Sequence, residues 1–546
     1  MSQFTEDVFV RVPAGSKGLV TGAPQAPVRH SWAQIHATGR RMAGALAEFG
    51  VGAGSPVAIL AGRPDDVAPL IQAVWMRRGS VTMLHQPTPR ADLTVWLEDA
   101  RAVLTVLGAE LVVVGAPFEA AVEGLRAGGV GVVEVAALRS GTAVEPLPAD
   151  EDDVALLQLT SGSTGTPKAV VITHGNLDRN WRSITATAEF ADDDVMISWL
   201  PFSHDFGMIG LLMGPMQTGL DAVIVTPADF LADPLIWAEL ITRYRGTITA
   251  APNFAYALWA RSLNEAPDGA YDLSSLRIAV NGAEPIDMAT IAAIQQAGAR
   301  FGLAESALTA AYGMAETTLG ISLSALGEVL TVDSVDADEL EEQGYARAVR
   351  GEGARQFAVL GRPLTGLGLR VVDGRGDRLP PRMVGEFQVR GAAVTRTYLT
   401  EHGAHAAVDA GGWLSTGDLG YLTDTGEIVV CGRVKDVIIV GGRNIFPTDI
   451  ERAAGRVAGV RRGNAVAVSI RQADHREQFA VVVESREHAD TEAAERIRND
   501  VARTVYDEIG VGPKFVAVTE PGSLPKTPSG KLRRSATLAL LARADA

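Results

Sequence analysis

Residues 154 to 173 read Val-Ala-Leu-Leu-Gln-Leu-Thr-Ser-Gly-Ser-Thr-Gly-Thr-Pro-Lys-Ala-Val-Val-Ile-Thr. Two apolar runs, 154–159 and 169–172, flank nine positions that hold five hydroxyl residues, two glycines and one lysine. The pattern predicts strand, tight loop, strand. Glycines let the backbone approach an anion, hydroxyls and amide N–H groups supply donors, and Lys168 supplies charge, a combination suited to a polyphosphate. It is not a Walker loop, because Gly-Lys-Ser/Thr is missing. An ordinary polar hairpin turn draws on the same residues. On this segment alone both readings stand.

Working outward, apolar strand-like runs alternate with Ala-rich helical stretches through most of the 546 residues. Expected strands include 55–60, 102–107, 221–225 and 276–280, and residues 32–49 carry apolar positions at helical spacing. Such alternation predicts an α/β fold with largely parallel sheets. From about residue 358 the texture changes to short β-like runs with Gly turns (369–372, 385–389, 427–430), expected to form a small β-rich subdomain. A boundary is expected near 431–435, followed by a strand over 437–440 and a helix from about Thr448. The expectation is an N-terminal domain over 1–430 and a small α/β C-terminal domain over 431–546. The acidic segment 332–342, with the Gly-rich run to Gly353, reads as a solvated insertion.

Bulk properties exclude several classes. Net charge is −16, against general nucleic-acid binding. The charge is uneven: residues 432–546 carry 19 basic and 15 acidic side chains, net +4, and the remainder carries 30 and 50, net −20. A mildly basic C-terminal region suggests an acidic partner there, or plain surface drift. The single cysteine, Cys431, forbids an intramolecular disulfide. No signal peptide is read at the N-terminus, and no apolar stretch reaches the roughly 20 residues of a membrane helix. The expectation is a cytoplasmic protein with no integral membrane segment.

Further motifs stand in order: Asn281-Gly-Ala-Glu-Pro285, Ala311-Tyr-Gly-Met-Ala-Glu-Thr317, Ser415-Thr-Gly-Asp418, Cys431-Gly-Arg-Val-Lys-Asp436 and Leu524-Pro-Lys-Thr-Pro-Ser-Gly-Lys531. In this order and spacing, over essentially the whole chain, the set resembles the adenylate-forming superfamily of acyl-CoA synthetases, peptide-synthetase adenylation domains, luciferase and fatty acyl-AMP ligases. The resemblance implies ATP and Mg²⁺ as cofactors, and a fold of two α/β sheet subdomains, a β-rich subdomain and a mobile C-terminal lid. It implies that Thr160, Ser161, Gly162, Ser163, Thr164, Gly165 and Lys168 wrap the β- and γ-phosphates. Ala283, Glu284 and Tyr312 would hold the adenine, Thr317 would contact phosphate, and Gly282, Gly313, Met314 and Ala315 would also line the nucleotide. Glu316 would ligate Mg²⁺, Asp418 would accept from the ribose hydroxyls with Arg433 assisting, Lys435 would be the hinge, and Lys531 the catalytic cation.

Three features resemble the fatty acyl-AMP ligases in particular. Residues 441–451, Gly-Gly-Arg-Asn-Ile-Phe-Pro-Thr-Asp-Ile-Glu, match that branch's pattern. Residues 198–210 and 249–256 look like its substrate-channel segments, and the stretch from Tyr312 to Gly361 is long, as where that branch carries an insertion. This implies a catalytic His204 near the substrate carboxylate and an acyl channel of Trp199, Met208, Gly210 and Phe254. It also implies transfer of a fatty or related acyl group to an acyl carrier protein, in fatty acid, lipid or natural-product metabolism. Arg452, Arg456, Arg461, Arg462 and Arg534 are candidates for the carrier-facing surface. The rival readings are an acyl-CoA synthetase and, from another class, a non-catalytic nucleotide-binding or carrier-docking protein.

Overall fold

The computed structural model describes residues 1–23, 25–87, 93–161, 167–351, 354–440, 443–471, 477–526 and 532–544. Its contacts gather into two compact units that do not divide at a single point of the chain. The first comprises Met1–Leu330, Leu360–Gly368 and Val389–Leu414; the second comprises Thr331–Val359, Leu369–Gln388 and Ser415–Ala546.

The first unit holds two large sheets flanked by helices. In one, eight strands run in the order Gly403–Ala406, Thr397–Thr400, Pro167–Thr173, Val154–Ser161, Ser80–Met83, Pro56–Leu60, Leu111–Val114, Gly131–Glu134. From Val154–Ser161 onward the neighbours pair in parallel, while the three strands before it are antiparallel. In the other, nine strands centre on a parallel set, with Ile278–Asn281 beside Leu308–Gly313. Helix starts follow local chemistry. Trp32–Glu48 and His174–Thr187 each open with a reciprocal capping box, Ser31 with Gln34 and Thr173 with Asn176, which satisfies N–H groups that the first turn cannot.

The two expected strands are present, and the loop between them, 162–166, lies outside the described residues. Val154–Ser161 pairs antiparallel with Pro167–Thr173, with Thr160 opposite Lys168. Leu157, Leu159 and Ala169 point to one face and pack against Val103, Leu104 and Leu107 of the helix Leu93–Leu107. Gln158, Thr160, Lys168 and Val170 therefore take the opposite face, since strand side chains alternate.

Two expectations fail. Residues 102–107 are not a strand: they end the helix Leu93–Leu107, whose buried positions Ala100, Val103, Leu104 and Leu107 follow helical spacing. The strand is the next apolar run, Leu111–Val114, after Gly108 turns the chain at positive φ. A short apolar run fits either element, and length decides only when the whole segment is weighed. Nor is 332–342 merely solvated. Val332–Val335 pairs with Arg355–Ala358, and Val335 and Leu340 are buried with Tyr421, Val429, Cys431 and Phe446. Its acidic residues cap and pair: Asp336 accepts from Glu339 N–H at 3.0 Å, and Arg347 donates to both carboxylates.

The second unit also holds a four-stranded antiparallel sheet in the order Leu367–Val372, Gly385–Gly391, Leu414–Leu422, Ile428–Arg433. A three-stranded sheet, Ala465–Arg471, Glu477–Glu484 and Phe515–Thr519, packs on the helices Pro447–Gly455 and Thr491–Ile509 around Ile450, Ile497, Val501 and Val505. Among the described residues no helix is long and apolar enough to cross a membrane.

Candidate active site

The polar face of the hairpin organises the chemistry of the first unit. The strand Thr397–Thr400 adds to its edge with Tyr398 opposite Val170, so Tyr398 shares a face with Lys168 two positions away. The Lys168 ammonium sits 3.7 Å from the centre of the Tyr398 ring. Such contacts contribute about 0.5–2 kcal/mol, more as water is excluded. Glu316, in the short turn Ala315–Thr317 that follows the strand Leu308–Gly313, reaches the same place. Its Oε1 lies 3.4 Å from Lys168 Nζ and accepts from the Tyr398 hydroxyl at 3.1 Å. Burial first, and then the Glu316 charge, push the Tyr398 phenol well above its ordinary range, which keeps it a donor. The turn is fixed by backbone: Thr395 N–H donates to the Glu316 carbonyl at 2.8 Å. Thr160 Oγ1, on the same hairpin face, is buried and has no partner among the described residues. A buried hydroxyl without a partner is costly in a finished core and useful where a ligand completes it.

Glu316 also bears on the magnesium that the resemblance implies. The carboxylate is nearly buried, and among the described residues no group of three or more His, Cys, Asp or Glu forms an all-protein cage. Mg²⁺ is commonly held by one or two carboxylates plus substrate phosphates, so this donor set fits it.

The expected adenine residues stand at the ends of neighbouring strands of the second sheet, Ile278–Asn281 and Leu308–Gly313. Asn281 ends a central strand, and Ala283 takes φ 67°, a left-handed conformation unusual outside glycine. Gly282 has little room for a side chain, a Cβ lying 3.0 Å from the Ala311 carbonyl oxygen, and a Cβ on Gly313 would lie 2.0 Å from the Leu319 carbonyl oxygen. Glu284 accepts from Phe254 N–H at 2.6 Å, which ties this loop to the helix Asn253–Glu265. The Tyr312 ring is 8% exposed. Thr317 is fully buried and its hydroxyl donates to the Met314 carbonyl at 2.9 Å.

His204 follows the strand Val195–Ser198 by a short loop. Its Nδ1 is 2.7 Å from Asp205 Oδ1, which also accepts from Phe206 N–H at 2.7 Å. Phe206 N–H also donates to His204 Nδ1 at 3.2 Å, so this one backbone donor is shared between the ring and the Asp205 carboxylate. Gln158 links the segment to the hairpin, donating to the Ser203 carbonyl at 3.2 Å. His85, held below its ordinary pKa by burial and by His204, has a buried Nδ1 without a partner among the described residues. Of the expected channel residues, Met208 and Trp199 are buried, Trp199 stacking on Phe230 at 3.8 Å, while Phe254 is 37% exposed. Gly210 faces Leu319 and Phe206 at 3.4 and 3.6 Å from a built Cβ.

In the second unit, Asp418 and Arg433 are direct cross-strand partners, with Arg433 Nε 2.9 Å from Asp418 Oδ1. Asp418 is 5% exposed, and its N–H donates to Thr416 Oγ1 at 3.1 Å. Lys435 is exposed in the turn Val434–Asp436. Gly162, Ser163, Thr164, Gly165 and Lys531 lie outside the described residues, as does the Ser161 side chain. Tyr398 is the site residue that sequence reading missed; its signal is a strand pairing across more than 200 positions.

Two α/β sheets followed by a smaller α/β unit define the architecture of adenylate-forming enzymes. The chain belongs to the AMP-binding enzyme family: residues 14–399 match the AMP-binding enzyme and residues 442–536 the AMP-binding enzyme C-terminal domain. It is an adenylate-forming ligase. A protein of Mycobacterium tuberculosis (strain ATCC 25618 / H37Rv) named "Putative ligase Rv1013" is 51% identical over 99% of this chain and 100% of its own length. The medium-chain-fatty-acid–[acyl-carrier-protein] ligase JamA of Moorena producens (strain JHB) is 34% identical over 71% of this chain and 67% of its own. A solved structure from studies of fatty acyl-adenylate ligases from E. coli and L. pneumophila superposes with a TM-score of 0.90 at 28% identity, covering 99% of this chain and 98% of its own.

Proposed function

We propose that this protein is a fatty acyl-AMP ligase that activates a fatty or related carboxylic acid with Mg-ATP and passes the acyl group to an acyl carrier protein. The observation that carries the reading is the Lys168, Glu316 and Tyr398 cluster on the same strand face as the Thr160 hydroxyl, which has no partner among the described residues. A cation and a nearly buried carboxylate, held together where a Gly- and hydroxyl-rich sequence segment ends, suit a metal-bound pyrophosphate leaving group.

In the first step a carboxylate oxygen of the acid attacks the α-phosphorus of ATP. The bond from that phosphorus to the α–β bridging oxygen breaks, and pyrophosphate carries away the electron pair. Enzyme nucleophiles are not required, because positioning and charge neutralisation supply the rate. Thr160 to Lys168 bind the leaving pyrophosphate, and Lys168 turns from Glu316 toward it. Glu316 would hold the magnesium, which when bound would neutralise phosphate charge. Ala283, Glu284 and Tyr312 take the adenine, and Asp418 with Arg433 takes the ribose hydroxyls. His204 would donate from Nε2–H to the incoming carboxylate, with Nδ1 accepting from Phe206 N–H. Lys531 offsets the repulsion between that carboxylate and the α-phosphate.

In the second step the phosphopantetheine thiol loses its proton and sulfur attacks the acyl carbon, with AMP leaving. The C-terminal domain, pivoting near Lys435, withdraws Lys531 for this step. The name of the Moorena producens relative and the fatty acyl-adenylate ligase structure support this choice of acid and acceptor.

The test is a panel of carboxylic acids scored by pyrophosphate release, with the best substrate then offered CoA or a phosphopantetheinylated carrier protein. Medium- to long-chain acids should release pyrophosphate, and acyl transfer should go to the carrier. Efficient acyl-CoA formation would move the protein to the acyl-CoA synthetases, and no pyrophosphate with any acid would remove the reading.

A further inference from the structure

We infer that Tyr398 is a positioning residue for adenylation, setting both the oxygen that Glu316 presents and the reach of the Lys168 ammonium. The inference rests on the adenylation reading above. One side chain touches both charged groups. Its hydroxyl donates to Glu316 Oε1 at 3.1 Å, and its ring carries the Lys168 ammonium at 3.7 Å from the centroid. The two charged groups also touch each other, at 3.4 Å.

The geometry has a consequence for ligand binding. Lys168 neutralises Glu316 while no nucleotide is present, yet its proposed duty is to meet phosphate. A magnesium held at Glu316 would compensate that carboxylate and leave the ammonium free to meet phosphate. A flexible four-carbon side chain freed in this way has many rotamers to choose from. The aromatic face keeps an attractive seat for the ammonium beside the phosphates. At Glu316 the phenol and the ammonium both meet Oε1, so Oε2 is the oxygen that would be left for a metal. The contacts come from a strand rather than a loop: Thr397–Thr400 is paired on both sides, with Pro167–Thr173 and Gly403–Ala406. A rigid support of this kind suits a positioning duty.

Two variants separate the two contacts. Tyr398→Phe keeps the ring and removes the donor; Tyr398→Leu removes both. ATP binding is measured by titration calorimetry across a Mg²⁺ series, beside pyrophosphate-release kinetics and thermal melting without ligand. For Tyr398→Phe the Mg²⁺ concentration at half-maximal ATP binding should rise on the order of 10-fold, the low end for a hydrogen bond to a charged group. ATP affinity at saturating Mg²⁺ should stay near wild type. For Tyr398→Leu, ATP affinity at saturating Mg²⁺ should fall a further several-fold, about the weight of a cation–π contact, with KM for ATP rising more than kcat falls. An unshifted Mg²⁺ dependence in Tyr398→Phe, or equal ATP affinity in the two variants, would overturn the assignment. So would a drop in melting temperature with no change in either binding measurement, since that marks a structural residue. Wild-type protein that makes no adenylate removes the functional reading, while the binding series still decides Tyr398.

Discussion

At the scale of single residues, His174 and His204 show how environment divides one side-chain type into two uses. His204 is partly exposed, with Asp205 Oδ1 and Phe206 N–H both against its Nδ1. His174 is fully buried between Phe4 and Trp75, with ring centres at 5.6 and 5.8 Å and neither nitrogen partnered among the described residues. Burial pushes its pKa down from 6.5 to about 4. The native state therefore holds His174 neutral while the unfolded chain protonates near 6.5. Stability is unaffected above that pH, falls as pH drops from 6.5 toward about 4, and changes no further below. The full loss is roughly 3 kcal/mol. Melting curves for wild type and His174→Leu from pH 7.5 to 4.5 should diverge below pH 6.5, with the variant losing less stability on acidification. Parallel curves would show that carboxylates elsewhere govern the acid limb.

At the scale of elements, the hairpin around 160–168 was legible because alternation, turn residues and length agree there, and the residue facing Lys168 follows from the pairing. Residues 102–107 misled because Val-Leu-Thr-Val-Leu is β-prone only when cut from Leu93 and Trp96, which continue the helical stripe. Glu316 and Asp418 stand inside motifs, so the sequence alone makes them candidates. Tyr398 was not legible, because its register depends on a pairing between distant segments and nothing local announces it. The segment 331–359 gave an acidic composition, which hid the few residues that pack. Its Arg355 is the clearest. The guanidinium is 5% exposed, lies 4.7 and 4.6 Å from the rings of Phe357 and Phe446, contacts Asp449 closely, and is 4.0 Å from Glu341. Glu341 in turn accepts from Arg443 at 3.1 and 2.6 Å. Removing one member of such a set leaves buried charge behind. Arg355→Met should cost about 3–5 kcal/mol, read by urea unfolding. Adding Asp449→Asn should recover part of it; a double variant no better than the single would mean that packing on the two rings, and not charge, is what Arg355 supplies.

At the scale of the whole molecule, the charge division between a −20 body and a +4 C-terminal region bears on how an acidic carrier protein would be met. Five arginines were candidates for that surface, and four are committed to ion pairs. Arg452 pairs with Asp449, Arg456 with Glu508, Arg461 with Glu484, and Arg534 with Glu451 and Asp436. Glu484 is fully buried, so reversing Arg461 would strand its charge and unsettle the fold before it tested docking. Arg462 is exposed and has no ion pair among the described residues, which makes it the clean probe. Steering by an exposed charge acts on encounter and is screened by salt, whereas chemistry inside the site is not. Arg462→Glu should therefore slow acyl transfer to the carrier on the order of threefold at 20–50 mM salt, a size typical of one rim charge. The gap should close above about 0.3 M salt, where the screening length is short, and pyrophosphate release should not change at any salt. Transfer rates equal to wild type at low salt would take Arg462 off the docking surface. A loss that persists at high salt would give it a part in the transfer step instead.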